Sequence, residues 1–524
     1  MRPREPLALR RPANECYGLP TIPSLNGFGE LLTAAVLGGF SVVKLLHVGF
    51  GFSPWHGGGL LTYAEDMMRA QAEAGHAVGY FCVGRNYPLL GKPRVHRWSR
   101  DGIRVFELLN SPSAVGGDWG NHRPDQDLSE PHAERLFRRT FARFAPDVVH
   151  IQELGGLPSS LIDIAHEEGA PVVMTLQDYF PLCPTHKLFD HEERLCMRIR
   201  PGEHCTRCCR DAPTTSVPRD LTRQYERARH PRLYSLQGAL RERMRRGEGQ
   251  TLEPSVDSRP ADRRVLAPAG DYQRRRDVNV MRLGEIDALV AMSSRVESIY
   301  EQLGVSPDRL RTLALTVGHL ADLVPRDLGQ PHPPDGPVRF ATLNGAASTQ
   351  KGAELLVDAV RRLAAMGLAE RDFCLSILGD VSPSVGSALR SSPTVEFCGR
   401  YRTADLNSLL DHVDVGLVPS VWEEAYGYVG LEFLAKGIPV LGNALGGITD
   451  YVRPGETGWL NRDCDGQGFA AIMASLIRGP AEIWRLQAQI AQRRSQLIKP
   501  IAMHQRELMD VYKEAREHRG RATS

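Results

Sequence analysis

Two glutamates, Glu424 and Glu432, bracket the segment Val418-Pro-Ser-Val-Trp-Glu-Glu-Ala-Tyr-Gly-Tyr-Val-Gly-Leu-Glu432. Between them Gly427 and Gly430 flank the predicted start of a helix. A helix N-terminus offers unpaired N–H groups and partial positive charge, so a phosphate can dock there. Glycine lets a ligand come close to the backbone. A carboxylate has several lone-pair sites, which suits hydroxyl groups: sugar hydroxyls at Glu424, a vicinal diol such as a ribose at Glu432. Two helix-terminal charges without a ligand would give the same spacing, so the pair acquires meaning only from its surroundings.

Lys351 closes the string Asn344-Gly-Ala-Ala-Ser-Thr-Gln-Lys351 just ahead of a second predicted helix. A cation at a helix N-terminus opposes the macrodipole, which favours an anion beside it over a plain solvated flank. Gly57, Gly58 and Gly59 form a glycine loop before the helix that starts at Leu60, a turn or a close backbone approach. His150 ends a strand in PDVVHIQEL, either facing a cleft or satisfied inside the structure. Asp178 follows Gln177 in TLQDYFPLCP. Glutamines at 152 and 177 hydrogen-bond but do not titrate, so acid–base chemistry is not expected at those two places.

Cys183, Cys196, Cys205 and Cys208, with Cys209 adjacent, include a Cys-x-x-Cys pair. They fit a structural zinc staple, with free thiols or a disulfide as the alternatives. The Asp-x-Asp strings at 125–127 and 463–465 lie in loops without a metal-site context, so no catalytic metal is expected. The basic runs at 241–246 and 274–276 are candidates for peripheral contact with anionic lipid or a polyprenyl phosphate, against a reading as solvated helix faces.

These residues need a scaffold. Short β-branched runs at 44–49, 77–83, 148–152, 172–176 and 288–293 alternate with helical periodicity at 60–74, 157–168 and 296–303. A second alternating set begins at 339, with strands at 339–344, 373–378, 395–398, 415–419 and 439–442 and helices at 353–366 and 429–436. Such alternation implies parallel doubly wound sheets. The predicted organisation is an extension at 1–42, a first Rossmann-like domain at 43–326 with a Cys/Arg-rich insertion near 181–280, and a linker at 327–337. A second Rossmann-like domain follows at 338–480, and helices at 481–524 pack back across the hinge. Little order is expected at 247–272. Ligands should bind in the cleft at the carboxyl ends of the strands.

Composition bounds the rest. The chain has 524 residues, 42% hydrophobic and 24% charged, as soluble globular protein does. A net charge of +2, from 64 basic and 62 acidic residues, gives no support for nucleic acid as a partner. Ten cysteines are too few for a disulfide scaffold, which favours a reducing, cytoplasmic setting. The apolar stretch at 30–44 is too short to span a bilayer.

From about Val43 onward the chain resembles family 4 of the retaining glycosyltransferases, enzymes of the GT-B fold, an α/β architecture of two Rossmann-like domains facing across a cleft. The resemblance rests on PSVWEEAYGYVGLEFLAKGIPVLGNALGGITDYV, on NGAASTQKGAELLVDAVRRL and on FSPWHGGGLLTYAEDMMRAQAEAGHAV. It implies transfer of a sugar from a nucleoside diphosphate donor, a UDP- or GDP-sugar, to a hydroxyl acceptor, without a catalytic metal or other cofactor. It places Glu424, His150 and Asp178 at the catalytic centre. It places Gly58, Gly59, Lys351, Gly379 and Arg400 on the donor, together with Tyr426, Gly427, Tyr428, Val429 and Glu432. Some family members with a similar DYxPxCP segment carry a cysteine cluster like that of Cys183, Cys196, Cys205 and Cys208. The chain departs from the family at Ala346, where most members have a phosphate-binding Arg, and at Gln152 and Gln177, where histidines are usual. The other readings open to this fold are a nucleotide-sugar epimerase and a non-catalytic sugar-nucleotide-binding regulator.

Overall fold

The computed structural model describes residues 42–87, 91–113, 120–212, 267–325 and 336–523. All of the 1–42 extension but Val42, most of the linker and the basic run at 241–246 lie outside them.

The first sheet has eight strands in the order β3-β4-β2-β1-β5-β6-β7-β8. At its centre β1 (Lys44–Phe50) pairs in parallel with β2 (Ala77–Val83) and β5 (Val148–Ile151). Then come β6 (Val172–Leu176), β7 (Ala288–Ala291) and β8 (Leu310–Thr312), all parallel. Helices cover both faces of such a sheet, so its strands read as nearly continuous apolar runs. At the other edge β3 (Arg94–Arg100) and β4 (Ile103–Leu109) form an antiparallel hairpin absent from the predicted elements. Its turn, Asp101-Gly102, has φ of 51° and 77° at the two residues, the geometry of a type I′ hairpin turn.

The second sheet is wholly parallel, with strands β9 (Val338–Thr342), β10 (Phe373–Leu378), β11 (Val395–Gly399), β12 (Val415–Val418), β13 (Val440–Asn443) and β14 (Gly458–Asn461). Their order, β11-β10-β9-β12-β13-β14, reverses between β9 and β12. In a doubly wound sheet the crevice at that switch point is the binding position. Phe340, Leu356, Val360 and Phe469 form part of the core around it.

The final helix, Ile501–Thr523, returns to the first sheet. Tyr512 Oη lies 2.6 Å from His150 Nδ1 and accepts a 3.0 Å bond from Gln71 Nε2, and His504 Nε2 lies 2.8 Å from Tyr63 Oη.

The basic run at 274–276 departs from its expected lipid or solvent setting. It lies in the helix Ala269–Glu285, where Arg275 and Arg276 are buried. Arg275 pairs with Asp127 (2.5 Å) and donates to the Phe180 carbonyl (2.7 Å), while Arg276 donates to the Leu182 carbonyl (2.7 Å) and Asn279 to that of Pro181 (2.9 Å). Buried cations persist where carbonyls and a carboxylate satisfy them. Here they clamp the backbone that follows Asp178.

Candidate active site

The loops leaving β9 and β12 build one wall. Gly352, at φ 82°, sits so close to the β12 loop that a Cβ would lie 2.0 Å from the Pro419 carbonyl oxygen. This packing brings Lys351 to Glu424. Its ammonium forms an ion pair with Glu424 Oε1, which also accepts a 2.9 Å bond from Ser420 Oγ. The same ammonium lies 5.2 Å from the Trp422 ring centroid, within cation–π range. The Glu424 backbone is fixed by a 2.8 Å bond from Gly447 N to its carbonyl.

The opposite wall comes from the first sheet. Gly59 and Leu60 open the helix Gly59–Glu73, and Gln177, Asp178, His186 and Lys187 follow β6. Asp178 Oδ1 accepts from Phe180 N (2.9 Å), Oδ2 pairs with His186 Nδ1 (2.9 Å), and the Asp178 carbonyl accepts from Tyr300 Oη (2.6 Å). Glu153, just beyond β5, brings a carboxylate oxygen so near that the ligand atoms of Glu153, Asp178 and His186 all lie within 4.8 Å of one another. Burial, and then the charge of Asp178, push the Glu153 carboxyl up to about 8, against the opposing pull of His186.

The two walls enclose a cavity of about 490 Å3. Their exposed chemistry differs. On the second-domain wall Asn344 Nδ2, Ser348 Oγ and Trp422 Nε1 are buried without a hydrogen-bond partner, and Lys351 stands among them. On the first-domain wall Gln177 Oε1 is the buried atom without a partner, beside Asp178. Buried polar groups left unsatisfied are uncommon and call for a ligand. The second-domain wall thus leaves three polar groups able to donate without partners, and the first-domain wall one acceptor.

The domains are latched beside the cavity. Ser293 Oγ donates to the Ala425 carbonyl (2.8 Å), Ser294 N to Asp450 Oδ2 (2.8 Å), and Arg295 forks onto the buried Glu423, with Nε 3.0 Å from Oε2. None of these was singled out in the sequence.

Of the expected site residues, Gly59, Asp178, Lys351, Glu424, Tyr426, Gly427, Tyr428 and Val429 line the cavity. Gly58 caps the Gly59 helix at φ 128° in open space. A Cβ on Gly59 would meet Tyr428 at 2.7 Å, so the glycine loop supplies a close approach between the walls. Glu432 lies one turn behind the cavity, where Oε1 is taken by His319 Nε2 (2.7 Å) and Oε2 is buried without a partner. Burial raises its carboxyl above the usual range despite His319.

Two placements differ from expectation. His150 is fully buried away from the cavity, with Nδ1 on Tyr512 and Nε2 on Thr175 (2.8 Å), and desolvation holds its ring well below the usual histidine range. Arg400 is largely exposed and forks onto Asp380 at 2.7 Å, while Gly379 serves a tight crossing, where a Cβ would meet Gly345 N at 2.9 Å. The cysteine quartet gathers in one region, where burial and then neighbouring sulfurs, Cys183 among them, raise the Cys205 and Cys208 thiols. Cys205 packs with Cys209 and Tyr272, Cys208 lies 3.8 Å from His191 Nδ1, and Cys196 accepts from Arg198 (3.3 Å). Among the described residues no three of these sulfurs lie within 4.8 Å of one another.

Ala346 is fully buried and bridges Val381, so the position of the missing Arg is a packing site here. Asn344 and Ser348, on either side, are the polar groups that reach the cavity. His186 and Glu153 escaped notice, although both follow strand-end segments, where α/β sheets place their ligands.

Gly430 supports the segment from below. A Cβ there would lie 2.3 Å from the Tyr451 ring, which is held by a 2.9 Å bond from its hydroxyl to the Gly427 carbonyl. Gly430→Ala is expected to destabilise the fold by about 1–3 kcal/mol through overpacking. A lower denaturant midpoint at unchanged m-value is the readout.

Among the described residues no helix is long and apolar enough to cross a membrane. Residues 340–479 match the family described as glycosyl transferases group 1, and residues 58–316 match the glycosyl transferase 4-like domain. The chain is similar to the D-inositol 3-phosphate glycosyltransferase of Thermobispora bispora, 31% identical over 30% of this chain and 34% of that protein. It is also similar to the alpha-1,3/1,6-mannosyltransferase alg-2 of Neurospora crassa, 36% identical over 19% of this chain and 21% of that protein. The matched stretch spans about half or less of the length of these curated relatives. Among solved structures, the sucrose-phosphate synthase of Thermosynechococcus elongatus superposes with a TM-score of 0.56 at 15% identity, covering 90% of this chain and 98% of that one. Anabaena HepE in complex with UDP and glucose superposes with a TM-score of 0.53 at 13% identity, covering 90% and 99%. With both halves matched and the two-sheet architecture in place, the chain belongs to the family 4 glycosyltransferases, glycosyl transferases group 1, built on the GT-B fold.

Proposed function

We propose that the chain transfers a sugar from a nucleoside diphosphate sugar to a hydroxyl acceptor, with retention at the anomeric carbon. The observation that carries this reading is the second-domain wall. Three buried donors without partners surround a lysine ammonium at the switch point of a doubly wound sheet. Donors and a point charge together suit a diphosphate. Lys351 meets the phosphate charge, with Asn344 and Ser348 in place of the arginine lost at 346, and no metal is needed at the diphosphate. Glu424 accepts hydroxyls of the donor sugar, and the free Glu432 oxygen accepts from the ribose. The acceptor enters along the Gln177 and Asp178 wall on the same face of the sugar. Its proton passes to the departing phosphate, so the protein mainly orients the partners and stabilises charge.

HepE is recorded with UDP and glucose, which makes UDP-glucose the natural first probe, with a GDP-sugar beside it. A ligand that binds the folded state alone stabilises it by about 2.7 kcal/mol at a hundredfold excess over Kd. Thermal melting with UDP-glucose, GDP-mannose, UDP, GDP and the bare nucleosides should show a rise for one diphosphate series and none for its nucleoside. Should no nucleoside diphosphate raise the melting temperature, the donor assignment fails.

A further inference from the structure

We propose that Glu153, Asp178 and His186 form a binding site for a divalent transition-metal cation on the first-domain wall of the cavity. The site is separate from the diphosphate wall and does not depend on the donor assignment.

The geometry comes first. Two carboxylates and an imidazole offer one ligand atom each, and these atoms all lie within 4.8 Å of one another. They come from rigid places. Glu153 follows β5 and Asp178 follows β6 in adjacent strands of the sheet. His186 is folded back by a loop in which its own carbonyl accepts from Tyr179 N (3.1 Å) at a positive φ of 66°. The supporting contacts are those that hold metal ligands in place elsewhere. Asp178 Oδ1 is fixed by Phe180 N, and the chain after it is clamped by Arg275, Arg276 and Asn279.

A second observation is independent of the cluster. Gln177 is 3% exposed and lines the same cavity, and its amide oxygen has no hydrogen-bond partner. Its amide nitrogen is already committed to Gln152 Oε1 (2.7 Å), which fixes the oxygen as the available atom. This acceptor opens into the cavity that Asp178 and His186 also line, and it calls for a ligand there. Burial and the charge of Asp178 oppose ionisation of Glu153, and a bound dication would offset that cost.

The donor set selects the ion. Two carboxylates with a single imidazole nitrogen suit Mn2+ or Zn2+ better than Ca2+, which prefers an all-oxygen set. Zn2+ also seeks thiolates, and several cysteines lie on the neighbouring segment, so Mn2+ is the discriminating probe. Asp178 and His186 line the cavity, so a cation held by the three residues would lie at its first-domain wall.

The test titrates the full chain with MnCl2 and follows the free Mn2+ signal by electron paramagnetic resonance. One Mn2+ should bind per chain. His186→Phe, which keeps a ring against Phe180, and Asp178→Asn should each weaken binding roughly tenfold or more. Cys208→Ser should bind as the parent does. Far-UV circular dichroism first establishes that each variant is folded, and the isosteric Glu153→Gln decides where another fails to fold. The proposal is overturned if the parent shows no saturable uptake, or if the folded variants bind Mn2+ as tightly as the parent.

Discussion

Glu424→Ala should lower donor turnover by roughly 10²- to 10³-fold, the scale of losing one preorganised electrostatic partner, without weakening nucleoside diphosphate binding. Lys351→Ala should instead lose both. The asymmetry follows from the ion pair. Lys351 is held by Glu424 Oε1, and that carboxylate is also fixed by Ser420. A diphosphate must compete with Glu424 for the ammonium. Removing the carboxylate frees Lys351 for phosphate, so affinity for UDP or GDP alone is kept or rises, while the sugar loses the group that orients it. Removing the lysine takes away the charge that meets phosphate and leaves a buried carboxylate unpaired. The measurements are nucleotide release from the sugar nucleotide that gives the largest thermal shift, and calorimetric titration with the matching diphosphate. Equal loss of diphosphate affinity in both variants would rule out this division of labour.

The legible part of this architecture was the part written in local periodicity. Apolar runs such as Leu45, Leu46 and Val48 are buried on both sheet faces, so they announce strands without help from distant residues. Glu424 and Lys351 could be paired in sequence only through the family resemblance. Their contact depends on Gly352 packing against Pro419, a long-range crossing that no local pattern encodes. The Asp101-Gly102 turn was readable in principle, since Asp-Gly between alternating residues is a hairpin signal. It was obscured because the edge strand Arg94–Arg100 is mostly polar and exposed, as suits a sheet edge. Arg275 and Arg276 show the opposite failure. Arginine is rarely fully buried, so composition places such a run at the surface. Only the carbonyls of the Asp178 loop, nearly a hundred positions away in sequence, reverse that expectation.

The site therefore has two kinds of support. Its second-domain wall is recognisable from motifs, although Lys351 and Glu424 meet only through the packing of Gly352 against Pro419. Its acceptor wall rests on the insertion, whose helix Ala269–Glu285 clamps the loop from Asp178 to Leu182. Changes in the insertion can reshape the acceptor wall while the donor wall stays as it is. The Arg295–Glu423 and Ser294–Asp450 contacts then set how the two walls face each other.

Acidification should unfold this protein between about pH 6.5 and 4.5 more steeply than its surface carboxylates would require. Three buried histidines sit where the final helix meets the first sheet. Desolvation lowers His47 to about 4 and His504 to about 4, and holds His150 well below the usual histidine range. His47 lies between Gln71 (2.7 Å) and Gln152 (3.0 Å), His150 between Tyr512 and Thr175, and His504 against Tyr63, near Lys499 and Glu507. In the unfolded chain each ring titrates near 6.5. Their folded values are depressed, so the unfolded state takes up protons first as pH falls. The stability they contribute is complete above about 6.5 and is lost on the way down to 4. For His47 and His504 the total is on the order of 3 kcal/mol each. Glu153, raised to about 8, works in the opposite direction, because the folded state holds its proton first. Each such histidine adds about one proton, or roughly 1.4 kcal/mol per pH unit, to the slope across the window, and His56, also lowered to about 4, adds in the same direction. Denaturant unfolding at steps from pH 7.5 to 4.5 measures this slope directly. In His504→Gln one of the three protons is gone, and the acid limb should become shallower by about one proton. A slope unchanged in that variant would show that the buried histidines do not drive the acid transition.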